Sequence, residues 1–353
     1  MKQFAIVYDE RLKEYDLGHV LTEDRYQDFI DLFHKKLGDH PHFDIVAPSY
    51  ATEEDLRLIH TQEYIRRIEQ CHSMDPHDTP LSPAFVRATK LLAGAGKLAG
   101  EMVQTGRYEK AFVIGGGVQH ATRDREKGFG VFSDIGICAA NLLQNFGIER
   151  ILIVDTDAHA GDGIYEIFSD DPRVLFISLH QHPLTLYPGK GFIHEIGNAS
   201  GKGYSVNIPL PPRAGDTAYE IIIDEILFPL SETFMPQIVL LVDGCDTHFL
   251  DQITNMGLTR KGIRLIGEKM GQLASSLCEG KIVDFVGSGY SPDPHNVSLG
   301  WLASISGLTG VRIDLEEETL PVNVKPHQKL KEAKEIISLI KKELAPYWPC
   351  FRK

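Results

Sequence analysis

The sequence predicts an α/β fold, in which a central, mostly parallel β-sheet carries helices on both of its faces. Short apolar runs rich in valine and isoleucine recur along the chain, and stretches with helical spacing of apolar residues separate them. This alternation is typical of parallel sheets covered on both faces. Several of the runs also end directly in glycine or polar residues, as strands do where an open α/β sheet carries its active site.

Seven apolar runs are the predicted strands. They cover residues 4–8, 111–114, 151–154, 174–177, 238–242, 282–286 and 311–313. The predicted helices have capping residues at their starts and glycine or proline at their ends. One begins at Thr22 and ends at Gly38, one begins at Ser82 and ends at Gly106, others begin near Ser133, Asp216 and Thr259, and the last spans about 328–345 before Pro346.

Composition limits the classes of protein to which the chain can belong. It has 353 residues, 42% of them hydrophobic, and we expect one catalytic domain over residues 1–353. No apolar run reaches the roughly 20 residues that a membrane span needs. The five cysteines are scattered without a C-x-x-C pair, which predicts reduced thiols in a cytoplasmic protein. A net charge of −13 disfavours nucleic acid as a partner, and the sequence leaves the oligomeric state open.

The segment that follows the run at 151–154 is the most informative in the chain. Asp155, Asp157 and His159 stand at alternate positions there and can point to one side of an extended backbone. Carboxylate oxygen and imidazole nitrogen are both zinc ligands. Asp246, which follows another predicted strand, is the best candidate for a third ligand. Two carboxylates and one neutral histidine nearly cancel the charge of zinc and leave a coordination position open for catalysis.

Two further residues on glycine turns complete a plausible reaction centre. His120 follows the glycines at 115–117 and can serve as a general base and later as a general acid. Tyr290 follows Gly289 and can donate its hydroxyl to a developing oxyanion. Together with the metal ligands, these residues predict metal-assisted hydrolysis of an acyl compound.

Six segments in order make the chain resemble the histone deacetylase superfamily, in particular its prokaryotic members. The superfamily includes acetylpolyamine amidohydrolases and acetoin-utilization proteins. The segments are GGGVQHA, GFGVFSD, VDTDAHAGDG, SLHQ with LYPG, GCDTHFLD and GSGY. The resemblance implies the arginase/deacetylase fold and a zinc-dependent amidohydrolase that removes an acetyl or other acyl group from an amine such as acetyl-lysine or acetylpolyamine. It assigns Asp157, His159 and Asp246 to zinc, His120 to the general base and Tyr290 to the oxyanion donor.

The resemblance also implies a narrow substrate channel. Phe129 and Tyr187 would form its walls, and Ile253 and Gly289 would lie along it. The carbonyl of Gly128 would accept a hydrogen bond from the amide that is cleaved.

A structural potassium ion is also implied by the resemblance. Its ligands would be mostly backbone oxygens, from the residues Asp155, Asp157, His159, Ser178 and Leu179.

The chain departs from the family pattern at Gln119, where the family usually has the first of two adjacent histidines. An amide there cannot titrate, although it can still form hydrogen bonds. By position, Asp155 would face Gln119, and Asp162 would orient His120. The acid and base roles would then both fall on His120.

Two other functions remain open from the sequence. One is a two-metal ureohydrolase of the arginase type, which needs more bridging carboxylates than the chain offers, because positions 161 and 244 are glycine. The other is a catalytically weak module that binds acyl amines, which would be expected to lose His120 or Tyr290. The choice between protein and small-molecule substrates and the length of the acyl chain also stay open.

Overall fold

The computed structural model of the protein describes residues 3–18 and 20–352. Its strands are β1 (Phe4–Val7), β2 (Phe43–Val46), β3 (Lys110–Ile114), β4 (Ile151–Asp155), β5 (Val174–Gln181), β6 (Ser205–Leu210), β7 (Ile238–Gly244) and β8 (Ile282–Ser288). All eight join one sheet in the order β2-β1-β3-β8-β7-β4-β5-β6. Every neighbouring pair is parallel, so the predicted α/β class with a parallel sheet is confirmed.

Helices fill the connections that parallel strands require. They are α1 (Asp24–Leu37), α2 (Glu53–Leu56), α3 (Gln62–Glu69), α4 (Pro83–Gln104), α5 (Asp134–Asn145), α6 (Asp162–Phe168), α7 (Asp216–Ile222), α8 (Phe228–Phe234), α9 (Arg260–Leu277), α10 (Pro294–Thr309) and α11 (Leu330–Leu344). A π-helical segment, Ile223–Leu227, joins α7 to α8. None of these helices is both long enough and apolar enough to cross a membrane.

The helices cover both faces of the sheet, as two adjacent residues of β8 show. Successive side chains of a strand point to opposite faces. Asp284 faces α10, whose Ser304 hydroxyl lies 3.4 Å from its carboxylate. Phe285 faces α4, where a Cβ atom added to Gly96 would lie 3.0 Å from the phenylalanine ring. Strands buried between two helical layers have to be apolar on both sides, and every residue of β1, β3 and β4 is buried.

The start of α1 differs from the prediction. The helix begins at Asp24, and the residue before it, Glu23, makes no capping hydrogen bond through its side chain. The carboxylate of Asp16 accepts a hydrogen bond from the Glu23 N–H at 3.1 Å instead. The predicted cap at Thr22 is therefore not formed, since Glu23 occupies the N-cap position. The predicted cap of α4 is present, because the Ser82 side chain accepts from the Phe85 N–H and Pro83 follows in the first turn.

The two edge strands were not predicted, and one predicted strand is absent. β2 and β6 lie at opposite edges of the sheet, and β6 contains Pro209, which has no N–H to donate to a ladder. Residues 311–313 pair with no strand in the described part of the chain, and the prediction of a strand there was wrong. They follow Gly310, whose φ of 70° ends α10, and the Ser306 hydroxyl bonds back to the Val311 carbonyl at 2.7 Å.

A glycine in α4 tests how closely this helix packs. Alanine has the higher helix propensity by about 1 kcal/mol, so Gly94→Ala would stabilise an isolated helix. In the fold, the added Cβ would lie 1.9 Å from the Ser49 carbonyl oxygen. We expect Gly94→Ala to lower the free energy of unfolding by about 1–3 kcal/mol in urea titrations. Gly271→Ala, where the nearest atom would be 3.0 Å away, is the milder control. Equal or higher stability of Gly94→Ala would contradict the close packing.

Candidate metal centre and active site

Three potential metal ligands converge at the carboxyl ends of β4 and β7. Asp157 and His159 lie in the loop after β4, and Asp246 lies just after β7, the neighbouring strand. The His159 Nδ1 atom is 3.0 Å from the Asp157 Oδ1 atom and 2.9 Å from the Asp246 Oδ2 atom. All three residues are buried, and their ligand atoms lie within 4.8 Å of one another. Among the described residues, no other group of three such side chains converges in this way.

Backbone N–H groups of the same loop hold the two carboxylates in place. The Ala158 N–H donates to the Asp246 Oδ1 atom at 2.9 Å, and the His159 N–H donates to the Asp157 Oδ1 atom at 2.7 Å. Each carboxylate is therefore oriented before any ligand arrives, which is how rigid metal sites are built.

Electrostatics at the cluster favour a bound cation. Burial raises the pKa of Asp246 to about 8, and the Asp157 carboxylate adds to the shift. Burial alone would lower the pKa of His159, but its hydrogen bonds with Asp157 and Asp246 raise it to about 10. With these raised pKa values, protons on Asp246 and His159 compensate the negative charge that is buried in the cluster. A metal ion would compensate it as well, so metal binding here competes with protons.

The donor set fits a zinc ion. Tetrahedral zinc with bonds of about 2.0–2.2 Å places its ligands about 3.3 Å apart, close to the separations between His159 and the two aspartates. Two carboxylates and a neutral imidazole balance the charge of a divalent ion. Three protein ligands leave a fourth position open, which distinguishes catalytic from structural zinc sites.

His120 lies beside the cluster in a defined orientation. It follows the glycine turn after β3, and its ring centroid is 6.0 Å from that of His159. Its Nδ1 atom is 2.8 Å from the Oδ1 atom of Asp162, the first residue of α6. Burial would raise the pKa of Asp162, but the hydrogen bonds and opposite charges of His120 and Lys127 together keep that pKa below its usual value. An ionised Asp162 accepts the Nδ1 proton and leaves Nε2 free as a base.

The expected pairing of Gln119 with Asp155 is not formed. One oxygen of the Asp155 carboxylate accepts the Asp157 N–H at 3.1 Å, and the other accepts the Ser178 hydroxyl at 3.0 Å. With both oxygens engaged, no hydrogen bond joins Asp155 to Gln119 in the described part of the chain. Gln119 lines the cavity instead. Ser178 lies opposite Asp155 in the ladder between β4 and β5, and Leu179 follows it on β5.

A cavity of about 600 Å³ opens onto the cluster and contains most of the predicted channel residues. Gly128, Phe129, Tyr187 and Ile253 all line it, together with His120, Tyr290, Asp157 and His159. The Tyr187 ring is 5.2 Å from the His120 ring and is 45% exposed, which places it at the mouth. Gly289 does not line the cavity, although Gly287 and Ser288 do. A Cβ at Gly289 would lie 2.4 Å from the Cys245 sulfur, so this glycine is required for packing behind the cavity wall.

Tyr290 is held at the cavity by its backbone and by an arginine that the sequence did not single out. The Tyr290 N–H donates to the Asp251 carboxylate at 2.7 Å. The buried Arg25 guanidinium donates to the carbonyls of Gly287 and Gly289 and lies 5.9 Å from the centre of the Tyr290 ring. Burial raises the pKa of Tyr290 well above its usual value, so its hydroxyl remains a donor at neutral pH. The sequence feature that could have identified Arg25 is its position as a charged residue on the apolar face of α1.

One wall of the cavity is a two-residue turn between Lys127 and Gly130. The Lys127 N–H donates to the Gly130 carbonyl at 3.0 Å, and the Gly130 N–H returns a bond at 2.9 Å. Gly128 and Phe129 have φ angles of 56° and 65°, which define a type I′ turn. We call residues 127–130 the wall turn. For phenylalanine this left-handed conformation costs free energy that its surroundings must offset.

Two residues missed by the sequence analysis hold the wall turn. The Asp78 carboxylate accepts the Gly128 N–H at 2.7 Å, and the Tyr15 hydroxyl donates to the Phe129 carbonyl at 2.7 Å. Both come from segments distant in sequence, and neither carries a motif. The glycine at position 128 was the available signal, because glycine readily supplies the positive φ angle that such a turn requires.

Comparisons with known proteins agree with this geometry. Residues 19–308 match the profile of the histone deacetylase domain. A probable deacetylase of Archaeoglobus fulgidus is 37% identical over 317 residues, which cover 87% of each chain. The acetoin utilization protein AcuC of Bacillus subtilis is 32% identical over 259 residues, covering 70% of this chain and 67% of AcuC. The solved structure of the HDA15 HD domain is 26% identical with a TM-score of 0.85, and the match covers 99% of this chain and 98% of that chain.

The chain therefore belongs to the histone deacetylase family, and it is a deacetylase, a hydrolase that acts on acylated amines. The resemblance and the fold expected from it are confirmed. The roles of the individual site residues stay predictions.

Removal of one ligand should release the metal without unfolding the chain. We expect Asp246→Ala to lose bound metal and activity, because two remaining ligands hold a divalent ion weakly. Asp243→Ala is the matched control: Asp243 is a buried carboxylate of β7 that bonds to Thr156 and Ser304 outside the ligand group. Metal analysis by mass spectrometry and circular dichroism of both variants give the readout. Full metal content in Asp246→Ala would contradict the assigned ligand set.

Proposed function

We propose that the protein is a zinc-dependent deacetylase that removes an acetyl or other acyl group from an amine such as acetyl-lysine or an acetylpolyamine. One observation carries the proposal: two members of a potential metal cluster, a histidine paired with a carboxylate, and a tyrosine all line one cavity. These are the parts that metal-assisted amide hydrolysis requires.

Asp157, His159 and Asp246 would hold the zinc ion. Zinc bound there supplies Lewis-acid polarisation of a carbonyl group and acidifies water. The other steps depend on side chains of the protein itself.

His120 would act as the base and then as the acid. Its Nε2 atom would take a proton from the attacking water and pass it to the leaving amine nitrogen, so one imidazole serves both steps. Asp162 would stabilise the imidazolium that forms between them, because its carboxylate lies 2.8 Å from the Nδ1 atom.

Tyr290 would donate its hydroxyl to the oxygen on which negative charge develops. Its raised pKa keeps the proton on the hydroxyl at neutral pH. The Asp251 carboxylate and the Arg25 guanidinium hold the backbone of the turn that carries Tyr290, so the donor is positioned before the substrate arrives.

The cavity walls would bind the chain that carries the acyl amine. Phe129 and Tyr187 supply aromatic surface at the mouth, and Ile253 adds apolar surface beside them. The Gly128 carbonyl would accept the N–H of the scissile amide, since the wall turn places this residue at the cavity.

A potassium ion would support the loop after β4. The donors proposed for it are oxygens of Asp155, Asp157, His159, Ser178 and Leu179. Asp155 is fully buried, and burial together with the Asp157 carboxylate raises its pKa well above the usual value. A monovalent cation would offset this cost.

A single metal site is favoured over the two-metal ureohydrolase alternative. A Cβ at Gly161 would lie 2.5 Å from the Asp155 carboxylate, and a Cβ at Gly244 would lie 2.0 Å from the Ser288 hydroxyl oxygen. Neither position has space for the extra carboxylate that a second metal ion needs. The binding-module alternative is disfavoured because both His120 and Tyr290 face the cavity.

Turnover measured on a panel of substrates tests the proposal. The zinc-loaded protein should hydrolyse at least one compound among acetyl-lysine peptides, longer acyl-lysine peptides and acetylpolyamines. His120→Ala, expected to be at least about 100-fold slower with unchanged metal content, is the matched control. Two stoichiometric metal ions about 4 Å apart, or no turnover by the metal-loaded protein, would contradict the proposal.

The tyrosine hydroxyl should contribute mainly to the transition state. We expect Tyr290→Phe to lower kcat about 10- to 1000-fold with little change in KM, because negative charge on the carbonyl oxygen builds only during the reaction. Steady-state kinetics of both proteins give the two constants. A change confined to KM would make Tyr290 a wall residue that binds substrate and transition state equally.

A histidine at position 119 should alter the pH profile. We expect Gln119→His to remain active and to lose kcat/KM more steeply below about pH 6.5, where the new imidazole becomes charged beside the divalent ion. Asp155 has no hydrogen bond to position 119 in the described part of the chain, and burial raises its pKa well above the usual value, so it offers little charge to stabilise the imidazolium. The measurement is kcat/KM against pH for the variant and the parent. Superimposable profiles would show that position 119 does not face the reacting water.

A further inference from the structure

Asp162 has a second partner besides His120. Its Oδ1 atom faces the imidazole at 2.8 Å, and its Oδ2 atom contacts the Lys127 ammonium group. The Asp162 side chain is 4% exposed and that of Lys127 is 19% exposed, so water screens this pair only weakly. A buried carboxylate held at both oxygens has one orientation, which in turn fixes the imidazole ring that it faces.

The backbone of Lys127 is hydrogen-bonded to the turn whose residues line the cavity. Lys127 opens the wall turn, and both of its backbone polar groups bond to Gly130. Its neighbours Gly128 and Phe129 line the cavity. Asp78 and Tyr15 fix the far side of the same turn. Lys127 therefore cannot move independently of the residues that contact the substrate chain.

We propose that Lys127 is a positioning residue that couples the channel wall to the general base. This inference rests on the proposed function, in which His120 is that base. The Lys127 ammonium group holds Asp162 so that its other oxygen faces His120, while the Lys127 backbone carries the wall. Lys127 exchanges no proton in the reaction. Its contribution is to keep His120 aligned while the substrate is in contact with the wall turn.

A purely structural role of the ion pair between Lys127 and Asp162 predicts a different result from a positioning role. Loss of a structural pair lowers the stability of the fold and leaves kcat unchanged. Loss of the positioning contact leaves one oxygen of a buried carboxylate without its counter-charge, so Asp162 reorients and His120 loses its alignment. Because the wall itself remains, substrate binding should change little.

Lys127→Met, Lys127→Arg and Lys97→Met are the variants that test this. Methionine keeps the length and apolar surface of the side chain but removes the charge. We expect Lys127→Met to lower kcat about 10- to 100-fold, the loss typical of a misplaced catalytic group, with KM within about twofold. Lys127→Arg should recover most of the loss. Lys97 on α4 forms a comparable pair with Asp55 at 3.0 Å. Lys97→Met breaks that pair and should leave kcat unchanged.

A double-mutant cycle with Asp162→Asn shows whether Lys127 acts through Asp162. In the Asp162→Asn background, Lys127→Met should cost less than about threefold in kcat, because the contact it removes is already lost. An unchanged kcat in Lys127→Met, an effect on KM alone, or the full loss in the Asp162→Asn background would each overturn the proposal.

A readout that does not need turnover separates this inference from the proposed function. In histidine-labelled protein, the Nδ1 proton of His120 should give a downfield NMR signal that Lys127→Arg retains and Lys127→Met loses or broadens. The same signal in Lys127→Met as in the parent would overturn the inference even if that variant is less stable. A parent protein with this signal and no turnover of any acyl amine would instead contradict the proposed function.

Discussion

The active site depends on the balance of charge among two buried aspartates and one histidine. Asp157 and Asp246 reach the same nitrogen of His159, at 3.0 and 2.9 Å, and all three residues are buried. Two carboxylates this close repel each other strongly unless a proton or a cation lies between them. The parallel sheet makes the arrangement possible. Its neighbouring strands β4 and β7 end at the same edge, and the backbone N–H groups after β4 then fix each carboxylate.

Much of this architecture could be predicted from the sequence, because the physical causes are local. A strand buried on both faces needs an uninterrupted apolar run, and the runs at β4 and β7 are of this kind. The ligand motif is also local, since Asp157 and His159 are two residues apart. Asp246 could be inferred because the carboxyl ends of parallel strands meet at one edge. The family resemblance then extended the assignment to residues without such a pattern.

The missed features depend on contacts between distant segments. The edge strand β6 alternates polar and apolar residues and contains a proline, so its sequence resembles a loop until a neighbouring strand pairs with it. Asp155 bonds to Ser178, from another strand, rather than to Gln119 as predicted. Lys127 lies 35 residues from Asp162, and a lysine in a charged loop carries no signal of a buried partner.

The wall turn limits how the protein can diversify. Gly128 and Phe129 occupy left-handed backbone positions, and the same short segment contacts the carboxylate beside His120. An insertion there, or a β-branched residue in place of Phe129, would disturb the width of the channel and the alignment of the histidine together. On the opposite wall, Tyr187, at 45% exposure, packs its ring against the His120 ring, but no hydrogen bond in the described part of the chain joins Tyr187 or Ile253 to His120 or Asp162. Changes in substrate preference among related enzymes should therefore accumulate on the side of Tyr187 and Ile253, where a changed side chain breaks no hydrogen bond to the histidine or to its carboxylate partner.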